Sequence, residues 1–364
     1  MTKTIVKLGI PYANVKACIP AAVLVAVNVT NLFGPTVQLF AVVALLFVFS
    51  GHLKLEMGRS WVWVLYFLVC IAVGILAYGP HQAVIKAGKL ILFVGASFLT
   101  VRGAHDGNRF PALLALRAFL VLCFLNVGYA IAVGESVFRA GFLIEFSIYS
   151  SYTIAILVYL ARPELKVYDR VLAYSFLALC GSTMGMLLLI AAEFVGRKFR
   201  PRTIVALVAS LPIGLWALNL LMNIRGKALS LDYLATSDRA NLLMTFWDTT
   251  LHSLTFVQWV FGVGVGSPLH HFLTPNSGFN EYLLDLGEDG IYSFCLHNEV
   301  LRILCDFGLV GLFIVVARLT TVCSKPVLLL LAIGMITNSY LYSFSGALIA
   351  SGLFNPKPLE PGYD

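Results

Sequence analysis

The sequence predicts an all-α membrane protein, a polytopic bundle of about ten or eleven membrane helices with one long outer loop. Hydrophobic residues make up 59% of the chain and charged residues only 12%, against roughly a quarter charged in a soluble domain. Apolar runs of about 20 residues recur along the chain, each long enough to cross the hydrocarbon core of a bilayer as a helix. One stretch, 223–299, is polar over much of its length and contains no such run.

The apolar runs define the order of the predicted elements and divide the chain into four parts. The predicted spans are 17–33, 36–53, 60–78, 83–101, 110–133, 142–161, 203–222, 300–318 and 326–350. We therefore expect an N-terminal transmembrane bundle over 1–222 and an outer loop or cap over 223–299. C-terminal membrane helices follow over 300–350, with a tail over 351–364.

The distribution of lysine and arginine predicts the orientation of these spans. Short cytoplasmic loops carry an excess of both residues. Basic residues lie in the N-terminus and in the turns 54–59, 102–109 and 162–170, which alternate with turns that have few. The N-terminus is therefore expected inside, and by parity 223–299 faces the periplasm or exterior. Because the net charge of +7 lies in such short loops, it favours the membrane and not nucleic acid as the partner.

The apolar stretch 171–194 conflicts with that charge rule. It separates two basic segments, 162–170 and 197–202, which both have the composition of cytoplasmic loops. A single crossing would place one of them outside, whereas a broken hairpin hinged at 180–183 would keep both inside. Each half of about 12 residues would rise only ~18 Å, and non-helical backbone at that depth is tolerated where it lines protein or a cavity. Both alternatives stay open on the sequence alone.

The sequence predicts no disulfide framework, cofactor or metal site. Four of the seven cysteines, Cys18, Cys70, Cys123 and Cys180, fall in apolar runs, and no CxxC pair occurs, so they are interpreted as small buried hydrophobic residues. The chain has no GxxxxGK[ST] loop, no HExxH and no Cys/His set at metal-binding spacing. Any chemistry is therefore expected to run without ATP or a tightly bound zinc ion.

The long outer segment contains two patterns of interest. Residues 238–259 have apolar side chains at helical spacing, which predicts an amphipathic helix lying on the bundle or in the membrane interface. Residues 261–268, FGVGVGSP, are rich in glycine and could present backbone N–H groups to a phosphate. A tight turn that returns the loop to the bundle is the interpretation we favour for them, since a GxGxG pattern without a strand–helix context is weak.

The stretch 297–312, HNEVLRILCDFGLVGL, places polar side chains at the mouth of the next apolar helix. His297 is either an interfacial polar residue or a general base, since imidazole titrates near neutral pH. Asn298 is expected to cap the helix. Arg302 either closes a helix-surface ion network with Glu299 and Asp306 or contacts a ligand, because charge inside a membrane is costly.

Other basic side chains are predicted on the outer side, where the charge rule does not expect them. Arg239, Arg225 and Arg139 belong to outer segments, and Lys86 lies with Lys89 in the outer third of its span. A guanidinium group can bind two oxygens of a pyrophosphate at once. These residues predict a cationic pocket for an anion outside the membrane, although solvated loop charge is the alternative for each.

Three parts of the chain resemble the O-antigen ligase/polymerase family. They are His297 to Leu312, the combination of Arg239, Trp247 and the glycine-rich 262–266, and, more loosely, the outer turn Arg139-Ala140-Gly141-Phe142. With the multi-span layout the resemblance covers roughly residues 135–320. The family's usual Ser-Arg pair in the span before the long loop reads Ser182-Thr183 here, so the contact that arginine makes is absent or supplied from elsewhere.

The resemblance implies an inverting membrane glycosyltransferase of the bacterial inner membrane, with its site facing the periplasm. His297 would act as base, and Arg239 and Arg139 would hold the pyrophosphate of an undecaprenyl-pyrophosphate-linked oligosaccharide; Arg225, Arg302 and Lys86 are added to that anion site on their charge. The acceptor would be a lipid-linked repeat unit in a polymerase, which we favour, or lipid A–core in a ligase, and a chain-length regulator is a conceivable protein partner. A transporter or flippase of the same lipid is the competing class.

Overall fold

The computed structural model shows an all-α architecture in the part of the chain it describes. The described residues are 12–55, 61–79, 82–101, 110–137, 143–144, 147–195, 254–269, 291–292, 298–337, 340–351 and 354. Beside the helices, these ranges contain two ladders of two short strands each. The predicted all-α class is therefore confirmed, while the predicted span 203–222 lies outside the described residues.

Five helices form the N-terminal part of the structure, close to the predicted apolar runs. They are α1 (Tyr12–Val29), α2 (Pro35–Val48), α3 (Trp61–Tyr78), α4 (Gln82–Ala96) and α5 (Phe110–Ala132). Strand β1 (Leu53–Leu55) follows α2 and pairs antiparallel with β2 (Leu99–Val101), which follows α4. This ladder holds the carboxyl ends of α2 and α4 at the same end of the molecule, as the predicted topology requires.

The stretch after α6 (Ser147–Ala161) is a helical hairpin. Helix α7 (Val167–Leu179) ends at a turn where Gly181 has a φ of 58°, and α8 (Thr183–Phe194) runs back. The Nε of Arg170 lies 2.9 Å from Oε1 of Glu193, so the start of α7 and the end of α8 are joined by an ion pair. The hairpin alternative for 171–194 is thus confirmed, and a single crossing is wrong.

The described part of 223–299, the segment predicted to be an outer loop, contains one short helix and one short ladder. Helix α9 (Phe256–Phe261) begins at Thr255, whose backbone is extended and whose side chain caps the helix together with Gln258. Strand β3 (Pro268–Leu269) pairs with β4 (Ile291–Tyr292). The predicted amphipathic helix over 238–259 is wrong at its end, because a helix start at Thr255 cannot lie inside a continuous helix; residues 238–253 lie outside the described part.

The C-terminal region contains one long helix and a second hairpin. Helix α10 (Glu299–Val322) is followed by α11 (Lys325–Thr337), a 3₁₀ turn at Tyr340–Tyr342 and α12 (Phe344–Ala350). The Sγ of Cys323 donates to the carbonyl oxygen of Ala350 at 3.4 Å, so the end of α12 returns to the start of α11. The predicted single span 326–350 is therefore wrong: α11 ends at Thr337, and Ser343 caps a new helix.

Three of the described helices are long and apolar enough to cross a membrane: α3, residues 111–132 of α5, and α10. Large hydrophobic side chains on these and neighbouring helices are exposed, among them Leu76 at 87% and Phe313 at 69%. Such surface is unfavourable in water and is typical of contact with lipid. The chain is a membrane protein by these criteria.

The core lies around α6. Its residues 154–157 are completely buried, and α6 packs against α5 on one side and against both hairpins on the others. Helix α12 is likewise buried along its whole length, with contacts to α1, α4 and α6. The two hairpins therefore insert into the molecule and do not lie on its surface.

Candidate functional site: a polar cluster at the start of α10

Of the predicted site residues, Arg302 is the one whose side chain is described. His297, Arg239, Arg139 and Arg225 lie outside the described residues. Lys86 lies in helix α4, but its side chain is also outside the described part. Its neighbour Lys89 places its ammonium group 4.5 Å from the centroid of the Phe344 ring. The structure thus describes the residues that directly follow His297 in the chain, from Asn298 onward.

Hydrogen bonds of Asn298 and Glu299 hold the first turn of α10 in place. The Oδ1 of Asn298 accepts a hydrogen bond from the N–H of Leu301 at 3.2 Å, which confirms the predicted N-cap. Glu299 is fully buried, and its Oε2 accepts from the N–H of Leu341 at 2.9 Å. The first turn of α10 is therefore hydrogen-bonded directly to the tip of the C-terminal hairpin, between residues that are 42 positions apart in sequence.

Four side chains next to that contact form what we call the α10 polar cluster: Glu299, Arg302, Asp306 and Tyr342. The guanidinium carbon of Arg302 lies 3.3 Å from the centroid of the Tyr342 ring. Its Nε is 3.9 Å from Oδ2 of Asp306, and the Tyr342 hydroxyl donates to the same oxygen at 3.3 Å. Stacking on an aromatic face and pairing with a carboxylate both compensate a buried guanidinium.

The hydrogen bonding of this cluster is incomplete. Within the described residues, Nε and Nη2 of Arg302 and Oε1 of Glu299 are buried without a hydrogen-bond partner. Each such polar atom costs about 1–3 kcal/mol, and more when charged. Two donors and one acceptor are therefore available at the start of a candidate membrane-crossing helix.

The ion pair between Arg302 and Asp306 that their spacing predicts does form. It lies in the interior and not on the surface, because only 3% of Arg302 is exposed. Its role as a pyrophosphate ligand stays a prediction. Sequence reasoning missed Tyr342, because nothing in its local sequence signals a partner 40 residues earlier.

The tip of the α7–α8 hairpin approaches one side of α6. The Oγ of Ser182 accepts from the N–H of Gly185 at 3.3 Å and caps α8. A Cβ on Gly185 would collide with the side chain of Ser151, so the hairpin approaches α6 closely there. The Oγ1 of Thr183 is buried and, among the described residues, has no hydrogen-bond partner. Ser182 and Thr183 are the pair for which the resemblance described above would expect Ser-Arg.

The tip of the α11–α12 hairpin approaches α6 at nearly the same level. The hydroxyls of Thr153 and Tyr340 lie 2.8 Å apart, and those of Tyr152 and Thr337 lie 3.1 Å apart. Ser151 and Thr153 are two residues apart on a helix, so they project roughly 200° apart but only ~3 Å apart along the axis. The polar segment of α6 is thus contacted by both hairpin tips.

The glycine-rich segment 262–266 packs against α10 and α3. Its three glycines, Gly262, Gly264 and Gly266, all have positive φ. The N–H of Val263 donates to the carbonyl of Cys305 at 2.7 Å. The predicted turn that returns the loop to the bundle is confirmed, and one of the N–H groups considered for phosphate is committed to α10.

That packing coincides with a break in α10. Gly308 has φ 62° and ψ −167°, which interrupts the helix. The carbonyl of Phe307, released by the break, accepts from the Tyr66 hydroxyl at 2.6 Å. A Cβ on Gly262 would lie 2.6 Å from the Asp306 carbonyl carbon, so the two backbones touch. The break lies two residues after Asp306, the last residue that α10 contributes to the polar cluster.

No protein-family model matches the chain, and no curated protein matches it significantly.

Proposed function

We propose that this protein is a membrane glycosyltransferase that transfers an oligosaccharide from undecaprenyl pyrophosphate, polymerising the repeat units of an O-antigen, capsule or exopolysaccharide. One observation carries the proposal: the α10 polar cluster is buried at the start of a candidate membrane-crossing helix that begins two residues after His297, and two nitrogens of its Arg302 have no hydrogen-bond partner among the described residues. Charge at that depth is expensive and marks a functional site by default. The proposal places the protein in the bacterial inner membrane as a bundle of about ten or eleven helices, with the site towards the periplasm.

In the proposed reaction His297 removes the proton from an acceptor hydroxyl. The oxygen attacks the anomeric carbon of the donor sugar, and the bond to the lipid pyrophosphate breaks with inversion. Arg239 and Arg139, supported by Arg225, Arg302 and Lys86, bind the leaving pyrophosphate and its growing charge. Cleavage of the bond between the donor sugar and the pyrophosphate supplies the driving force, so no nucleotide takes part. A ligase differs only in taking lipid A–core as the acceptor.

In this proposal the α10 polar cluster fixes the orientation of the helix turn that follows His297. Because Glu299 is bonded to Leu341 and Arg302 stacks on Tyr342, the first turn of α10 has a fixed orientation. His297 precedes that turn directly. A catalytic base needs such support, since a displacement of about 1 Å can cost a hundredfold in rate.

The test uses liposomes that contain only this protein and a lipid-linked oligosaccharide. We expect longer glycans, or transfer to an added lipid A–core acceptor, without ATP. His297→Ala should reduce the rate about 10²- to 10⁴-fold, whereas His271→Ala, which removes a histidine of the same outer segment outside the motif, should not. Full polymer synthesis by the His297 variant would contradict the proposed base.

A transporter or flippase of the same lipid is the second candidate, and the two hairpins favour it. Helices of 12 or 13 residues in α7, α8 and α11, and of 7 in α12, are too short to cross a bilayer unaided. Paired discontinuous helices near polar groups are typical of secondary transporters. If the wild-type protein moves a fluorescent polyprenyl pyrophosphate between leaflets and never lengthens its glycan, this candidate replaces the first.

A further inference from the structure

A groove runs between α5 and α7 on the outside of the described helices. It has a volume of about 540 Å³, within the range of roughly 300–1,000 Å³ of small-molecule sites. Its walls are apolar, formed by Val121, Phe124 and Leu125 of α5 and by Leu172 of α7. One end is polar and contains Arg117, Tyr168 and Asp169.

The polar end is held in place by a network of hydrogen bonds. The Nε and Nη2 of Arg117 donate to Oδ1 and Oδ2 of Asp169 at 2.9 and 3.0 Å, and Nη2 also donates to the Tyr168 hydroxyl at 2.8 Å. Asp169 is buried, whereas 39% of the Arg117 side chain is exposed. The remaining nitrogen, Nη1, has no hydrogen bond within the described residues and lies on the accessible side chain.

A second cationic side chain, Lys166, lies near the same aromatic ring as Arg117, that of Tyr168. The Nζ of Lys166 lies 5.8 Å from the centroid of Tyr168, and the Arg117 guanidinium lies 5.3 Å from it. Arg117 is paired with Asp169 and Arg170 with Glu193, while Lys166 has no ion pair in the described part of the chain. The surplus positive charge of Lys166 therefore lies next to this end of the groove, beside a tyrosine of the type that marks a membrane interface.

The walls face the position that lipid occupies in a membrane protein. Val121 is 59% exposed and Leu125 56%, and both lie on a helix that can cross a bilayer. A concave apolar surface along such a helix fits a hydrocarbon chain, and a cationic end fits a phosphate at the chain's head. Basic clusters beside membrane helices recognise anionic headgroups in this way.

We propose that this groove binds one anionic phospholipid, with an acyl chain along Val121, Leu125 and Leu172 and the phosphate at Arg117 Nη1 and Lys166 Nζ. By the predicted topology this lipid belongs to the cytoplasmic leaflet, whose anionic lipids match the surplus charge. The proposal does not depend on the enzymatic activity, since the groove is separate from the α10 polar cluster. Its effect is to fasten the α7–α8 hairpin to α5 through a shared ligand.

The test is native mass spectrometry of the full chain in detergent, titrated with phosphatidylglycerol or with phosphatidylcholine of the same acyl chains. We expect a one-to-one phosphatidylglycerol adduct that survives activation and a weaker phosphatidylcholine adduct. Lys166→Ala should weaken phosphatidylglycerol binding about fivefold, the effect of one basic residue near an anionic lipid, and should not change phosphatidylcholine binding.

A tryptophan placed in the groove distinguishes binding at this specific site from general contact with lipid. Leu125→Trp should abolish the adduct, while Leu76→Trp, at a lipid-facing position 87% exposed on α3, should leave it unchanged. If Leu125→Trp lowers the unfolding temperature, Val121→Trp repeats the test from the neighbouring turn. Equal binding of both lipids that is insensitive to Lys166→Ala and to the tryptophan variants would overturn the proposal.

Discussion

Replacing Gly308 by alanine tests the break in α10 and the crossing of the glycine-rich segment over it. Gly308 combines φ 62° with ψ −167°, a region that is essentially restricted to glycine and costs other residues about 1–3 kcal/mol. The added Cβ would also collide with the backbone of Val260 and lie 2.5 Å from the N–H nitrogen of Gly262. Because backbone cannot rotate away as a side chain does, overpacking adds about 1–3 kcal/mol.

Together these effects predict a loss of about 2–6 kcal/mol for Gly308→Ala. Thermal or denaturant unfolding of the purified protein in detergent measures it. Gly88→Ala is the matched control: Gly88 lies in α4, has helical backbone and has open space where a Cβ would be placed, so alanine should be neutral or stabilise by about 0.5–1 kcal/mol. Equal stability of Gly308→Ala and wild type would refute the break in α10 and the packing of α9 against it.

Three further changes test the hairpin and the α10 polar cluster. Burial raises the pKa of Asp169, but hydrogen bonds from Arg117 and the Lys166 N–H, together with the charges of both residues, lower the pKa below its ordinary value. The stability that this carboxylate contributes is therefore present above about pH 4 and is lost as the pH falls through the folded pKa. The unfolding temperatures of wild type and Asp169→Asn should accordingly converge at low pH. Asn298→Ala removes the cap of α10 and should cost about 1 kcal/mol, with rescue by Asn298→Asp; a silent Asn298→Ala would contradict the cap geometry. Arg302→Ala leaves Asp306 buried without its cation and should cost about 3–5 kcal/mol, whereas a surface arginine would cost less than 1 kcal/mol, so unfolding of that variant distinguishes the two environments.

Composition and hydropathy alone determine the class of this protein and most of its described helices. The apolar run 60–78 corresponds to α3 and 110–133 to α5, because a segment without water must satisfy its own backbone hydrogen bonds and does so as a helix. The spacing of Asn298 before an apolar run predicts its cap, since capping is a local interaction between neighbouring residues. The charge conflict around 171–194 likewise identifies a hairpin as one of two alternatives, and the folded chain decides between them.

Tertiary structure decides what depends on distant partners. Hydropathy treats 326–350 as one span because it measures each residue's affinity for lipid and not the direction of the chain; the reversal at 340–343 depends on contacts with α4, α6 and α10. Arg302 has the spacing of a surface ion pair, yet Tyr342 and the C-terminal hairpin cover it and make it a buried charge. The sequence by itself determined which segments avoid water, since that property belongs to each segment alone. Only the folded chain decided which polar side chains contact one another in the interior, because those contacts join residues that are far apart in sequence.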